Sequence, residues 1–202
     1  MIEKPETVLD KVLSYVDSPF KLFAVLVMGV VAFAGYFFWQ NQTFMLDAYK
    51  ESKKLPEINT ARADDVGSML MKKTGATIVA VFKVNPLFNS RTVYRAYTKD
   101  GRDKSIEDID VGLFSQNSSN NADVIKLMTN EIPCSEYRYA QSEVGLWYIE
   151  KGVGFTCRVS VPPDNHRFVG QITVGWAQQP DNLEQIKFML EIASAMLTKR
   201  GN

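Results

Sequence analysis

The side chains able to do acid–base, nucleophilic or metal chemistry are few and dispersed. The single histidine, His166, falls in the run Pro162-Pro163-Asp164-Asn165-His166-Arg167. Asp164 is near enough along the chain to orient an imidazole, but a hydrolytic triad also needs a positioned Ser or Cys nucleophile. None stands in a pattern with it, so His166 reads as a turn residue. Gly152-Val153-Gly154 lacks the third Gly or the following Lys-Ser/Thr that lets backbone amides cradle a phosphate. Asp64-Asp65 and Asp108 with Asp110 are acid pairs without calcium-loop spacing and read as solvated faces. Cys134 and Cys157 leave two readings open. One is a disulfide in an oxidising compartment. The other is two separate thiols, one on a strand and one in a loop, with too few His or acid neighbours for zinc. No catalytic, cofactor-binding or metal-binding residue is therefore expected, and the chain reads as a non-enzyme.

The elements that would position any site begin with a membrane anchor. The chain has 202 residues, 46% hydrophobic and 23% charged, too apolar for disorder and too charged to lie wholly in a bilayer. From Leu22 to Leu46 no side chain is charged. At about 1.5 Å per residue, roughly 20 residues cross a hydrocarbon layer of about 30 Å, so residues 21–44 are expected to span once. Tyr36 to Trp39 form an aromatic belt at one interface, and Phe20 with Lys21 marks the other. A cleaved signal would have a shorter apolar core and a small-x-small site, whereas bulky aromatics follow this core, so the anchor is expected to be retained. Three lysines flank each side, Lys4, Lys11 and Lys21 against Lys50, Lys53 and Lys54, so charge does not orient the span. The large C-terminal part carries both cysteines, which favours a cytoplasmic N-terminus and an exported domain. Ala24, Met28, Ala32 and Gly35 share one helical face, either a helix-association stripe or the small residues common in any such helix.

Residues 1–20 read as a cytoplasmic amphipathic segment, with Leu9, Leu13, Val16 and Phe20 at helical spacing until Ser18-Pro19 breaks the pattern. Residues 45–202 read as one domain. A charged helix from Asp47 ends at Pro56, and a second starts at Thr60, buries Ala63, Val66, Met69 and Leu70, and stops at Gly75. Thr77 to Val84 and Arg91 to Thr98 read as a hairpin. Gln116 to Asn121 reads as a polar loop, either a docking site or a mobile connection. Leu146 to Glu150, Phe155 to Val161 and Phe168 to Ala177 read as a three-stranded meander, and a closing helix runs from Asn182 to Leu197. The expected fold is α+β: one transmembrane helix, then a five-stranded antiparallel sheet packed by helices, profilin-like in outline. Residues 47–202 carry twenty Lys or Arg against nineteen acids, which gives no basic face for nucleic acid.

Phe155-Thr156-Cys157, Asn165 to Val169, Gly170 to Trp176 and the closing helix through Ala193 and Leu197 to Lys199-Arg200 resemble the holins of T-even-type phages. These have one transmembrane segment and a large periplasmic domain. Cys157 stands at a matching strand position, but the family's second cysteine belongs in the closing helix, where this chain has Leu190, so the resemblance implies no partner for Cys134. It implies a homo-oligomer in the host inner membrane that opens large nonspecific holes, releases an endolysin and times lysis, with an antiholin bound to the periplasmic domain. Lipid bilayer, a second copy and antiholin are then the expected partners, with no cofactor. The alternative from another class is a single-pass sensor or ligand-binding module.

Overall fold

A computed structural model describes residues 18–53, 56–164 and 167–199. Most of the N-terminal amphipathic segment, and His166, lie outside the described residues. The chain divides into two compact units, Met1–Lys54 and Leu55–Asn202.

The first unit is described through helix α1, Pro19–Lys53. Ser18-Pro19 starts this helix. Proline fits the first turn because its missing N–H would have no intrahelical acceptor there, and the Ser18 hydroxyl accepts from the Lys21 amide at 3.4 Å. Within α1, Pro19–Asp47 is long and apolar enough to cross a membrane, a test that a signal sequence also passes. Its 35 residues extend about 50 Å, longer than a bilayer core requires.

The second unit is an α+β domain around one antiparallel sheet. The sheet has seven strands where the sequence suggests five. Strands β2 (Ile78–Asn85), β8 (Gly170–Trp176) and β7 (Phe155–Val161) form its centre. Strand β3 (Ser90–Thr98) pairs with β2 from Ile78↔Thr98 to Asn85↔Ser90, with a register shift between Val81 and Phe82. Short strands β4 (Gly101–Arg102) and β5 (Asp110–Gly112) extend β3, and β6 (Cys134–Glu136) lies outside β7. These three-residue and two-residue segments are too short to carry a period in sequence. A separate antiparallel pair joins β1 (Glu57–Ile58) to β9 (Thr198–Lys199), so the segment that opens the domain is held against the segment that closes it.

Helices cover both faces of the sheet. On one face lie α2 (Ala63–Thr74) and α5 (Leu183–Leu197), whose Val66, Leu70, Ile186 and Leu190 pack with Val79, Val81, Val159, Ile172 and Val174. Helix α2 has Asp64 and Asp65 in its first turn and Lys72 and Lys73 in its last, which complements the helix dipole, and Gly75 ends it at φ 62°. The indole of Trp176 donates to the Thr74 carbonyl at 3.0 Å and ties that helix end to β8. On the other face lie α3 (Ser118–Met128) and α4 (Glu143–Glu150).

Helix α4 corrects the meander. Leu146 to Glu150 is helical, not a strand, and the third strand beside β7 and β8 is β6. The apolar run holds two periods at once. Val144, Trp147 and Tyr148, at helical spacing, are buried, while Leu146 and Ile149 face out. The Ser142 hydroxyl decides for the helix by accepting from the Gly145 amide at 3.1 Å as an N-cap. The polar run is corrected in the same way: Asn117 caps α3, and Ser118 to Asn121 form its first turn rather than a loop.

Candidate functional site

The strands β7 and β8 alternate strictly. Val159, Ile172 and Val174 point into the core under α2 and α5, so Arg158, Gln171 and Thr173 point to the opposite face. In a sheet with one wet face those polar side chains would meet water. Here they do not: Arg158 is 9% exposed, and Gln171 and Thr173 are 1% exposed each. Helices α3 and α4 and the segment joining β6 to α4 roof them over, leaving a cavity of about 610 Å³ between roof and sheet.

The floor of this cavity is polar, with its side chains in two hydrogen-bonded groups. Arg91, on β3, donates through Nη1 to Gln171 Oε1 at 3.0 Å and through Nη2 to Asn120 Oδ1 at 3.1 Å. Gln171 Nε2 donates to Thr173 Oγ1 at 2.8 Å. Arg158 Nη1 meets Asp123 Oδ2 of α3 at 3.0 Å. Nε of Arg91 is buried with no hydrogen-bond partner. Burial, and then the neighbouring Arg158, lower the Arg91 guanidinium to about 10, still protonated at neutral pH.

One wall is aromatic. The rings of Tyr137 and Tyr148 meet edge to face at 5.4 Å, and Phe82 lies 5.7 Å beneath the Arg91 guanidinium. Burial pushes the Tyr148 phenol up to about 12, so it is a neutral hydroxyl at neutral pH. Gly145 lets α4 sit close to this wall, since a Cβ there would meet the Tyr137 hydroxyl and come within 3.3 Å of Ala140 Cα.

The residues singled out in the sequence are placed elsewhere. Cys134 and Cys157 are directly opposite on β6 and β7 and are joined by a disulfide, with Cα atoms 4.1 Å apart. Ala24, Met28, Ala32 and Gly35 lie on α1, where a Cβ at Gly35 would meet nothing within 4 Å. Asp64 accepts from the Tyr97 hydroxyl, and Asp110 accepts from Thr92. Among the described residues no group of three His, Cys, Asp or Glu could hold a metal ion. The residues lining the cavity were missed because Arg158, Gln171 and Thr173 read as the wet face of half-buried strands. A signal exists in Asn117, the cap of α3, and in Asn120, four residues before Val124, the first buried apolar residue of that helix.

No family model matches this sequence, and no curated protein does. Solved structures match the domain's fold. The chromophore-binding domain of a bacteriophytochrome from R. palustris is similar at 14% identity and a TM-score of 0.50, over 68% of this chain and 53% of that one. This chain thus spans about half the length of that structure. A far-red cyanobacteriochrome photoreceptor is similar at 7% identity and a TM-score of 0.50, over 79% of this chain and 94% of that one. The GAF domain of an Acinetobacter phosphoenolpyruvate-protein phosphotransferase matches at 10% identity and a TM-score of 0.49, over 79% of this chain and 90% of that one.

The domain therefore has a GAF-like α+β fold. This overturns the expectation of a phage holin that opens holes and times lysis, and the antiholin receptor role expected of the domain goes with it. The cavity roofed by α3 and α4 is a feature the lysis reading gave no place, and it agrees better with the alternative from the sequence, a sensor or ligand-binding module.

Proposed function

We propose that the protein is a single-pass, membrane-anchored ligand-binding module: α1 holds it in a bilayer, and the GAF-like domain binds a small molecule in the cavity without turning it over. The observation that carries this reading is the polar floor of half-buried Arg91 and buried Arg158, Gln171 and Thr173 beneath an aromatic wall. Small-molecule sites typically combine a concave, partly aromatic wall with a few polar groups that fix orientation. The cross-strand disulfide supports a domain exported to an oxidising compartment, with α1 entering the membrane from the other side. Similar structures hold chromophores. With Cys134 and Cys157 bonded to each other, neither offers a free thiol, so the ligand is not held through a cysteine thioether.

The test is direct. The full chain in nanodiscs is incubated with a bacterial small-molecule extract, repurified, and examined by native mass spectrometry. Wild type is expected to retain an added small-molecule mass. Thr173→Phe, which fills the cavity floor, is expected to lose it while still unfolding cooperatively. A wild-type chain that returns without any added mass would sink the reading.

A further inference from the structure

The cavity has an uncompensated positive charge. Its lining includes three arginines, Arg91, Arg138 and Arg158, against two acids, Asp123 and Glu136. Each acid is already engaged: Asp123 with Arg158 at 3.0 Å, and Glu136 with Arg138 near the mouth. That leaves Arg91. Its two hydrogen-bond acceptors are the neutral amide oxygens of Gln171 and Asn120, and its buried Nε has none. A guanidinium in such a setting normally finds a carboxylate, whose two oxygens match its fork of donors.

We infer that the cavity takes a small organic acid whose single carboxylate seats against Arg91, beside Arg158, with its flat body along Phe82, Tyr137 and Tyr148. This rests on the reading of the cavity as a ligand site. One negative charge balances the lining, since three cations face two anions. A phosphate monoester, at about −1.5 to −2 near neutral pH, would overshoot it. The body of the ligand follows from the wall. Tyr148 is neutral and buried, and the edge-to-face pair it makes with Tyr137 offers ring faces and edges rather than charge. The lowered Arg91 guanidinium agrees with a site that gains when an anion arrives, because burial and Arg158 both disfavour its charge and outweigh the opposing effect of Asp123.

The experiment is calorimetric titration of the full chain in nanodiscs with benzoate, indole-3-acetate and 4-hydroxycinnamate, each beside its uncharged amide, and with phenyl phosphate. At least one acid is expected to bind tenfold or more tightly than its amide. Arg91→Gln is expected to bring that ratio close to one while amide binding persists, which separates loss of charge recognition from loss of the fold. If each amide binds as tightly as its acid, the inference fails and the ligand-site reading stands. Phenyl phosphate binding more tightly than every acid overturns the carboxylate assignment. If neither acids nor amides bind, both the inference and the reading beneath it fail.

Discussion

Arg91 and Gln171 are joined by a 3.0 Å hydrogen bond although their strands, β3 and β8, are not neighbours. Strand β2 runs between them, and the Arg91 guanidinium crosses it above the Phe82 ring. Only a side chain of that length can bridge two strands on one face, and only a covered face keeps the bridge out of water. The bond therefore reports both the sheet order and the roof formed by α3 and α4.

Gln171→Glu would place a carboxylate where Arg91 now meets an amide. The pair is expected to raise the midpoint of thermal unfolding, because a charge-assisted bond replaces a neutral acceptor. It should also weaken binding of an organic acid by at least tenfold, since the charge the ligand supplies is then already present. Differential scanning calorimetry and titration of the same preparation read both effects.

The disulfide closes a loop between residues 23 apart in sequence. Loop-closure entropy for that length corresponds to about 3 kcal/mol. The double variant Cys134→Ala, Cys157→Ala should lose about that much in urea unfolding, and reduction of the wild type should lose a similar amount. An unchanged midpoint in both would show that the bond does not form in the native protein.

Asp103 is the junction of β4 and α4. Its carboxylate accepts from the Ser105 hydroxyl at 2.6 Å and the Trp147 indole at 3.0 Å, and it meets Lys151 at 3.3 Å. The Ser105 hydroxyl first, and then the Trp147 indole, hold it well below the usual carboxylate range. A depressed folded value means stability that is complete above the unfolded value of about 3.9 and is lost as pH falls below it. Wild type should therefore weaken between about pH 4 and pH 2. Asp103→Asn should be weaker by about 1–2 kcal/mol at pH 7 and should show a flatter acid limb in urea titrations at successive pH values.

Helix α1 has the length and composition of a span, and it would remain in the mature protein under the proposed reading. The chain expressed in a bacterium should stay in the membrane pellet after an alkaline wash, with an intact mass that includes residues 1–53. Release into the supernatant with a mass starting beyond Trp39 would identify the helix as a cleaved signal instead.

The sequence makes the long elements legible and the short ones not. Ala63, Val66 and Leu70 carry a helical period that the structure buries as expected, and the β2/β3 hairpin follows from its alternation and its Asn85-Pro86 turn. Leu146 to Glu150 misled because the apolar run of four, Leu146 to Ile149, is too short to separate the two periods, and Ser142, the cap that settles it, lies outside the run. The cavity was illegible for a different reason. Alternation tells which residues of β7 and β8 share a face, but whether Arg158, Gln171 and Thr173 meet water depends on α3 and α4, which cross from elsewhere in the chain. The holin resemblance rests chiefly on residues of β7, β8 and α5, and not on the roof that gives the domain its cavity.

The clasp of β1 and β9 has a bearing on how this domain can be used. Ile58 pairs with Thr198, and the Asn59 amide bonds the Leu197 carbonyl at 2.7 Å, so the polypeptide is taken in and let out at one point on the surface. Neighbouring antiparallel backbones stand about 5 Å apart, a gap that a surface turn of an unrelated host protein already spans. The domain is thus suited to transplantation as a cassette, spliced into such a turn without its anchor and carrying its cavity into a new scaffold.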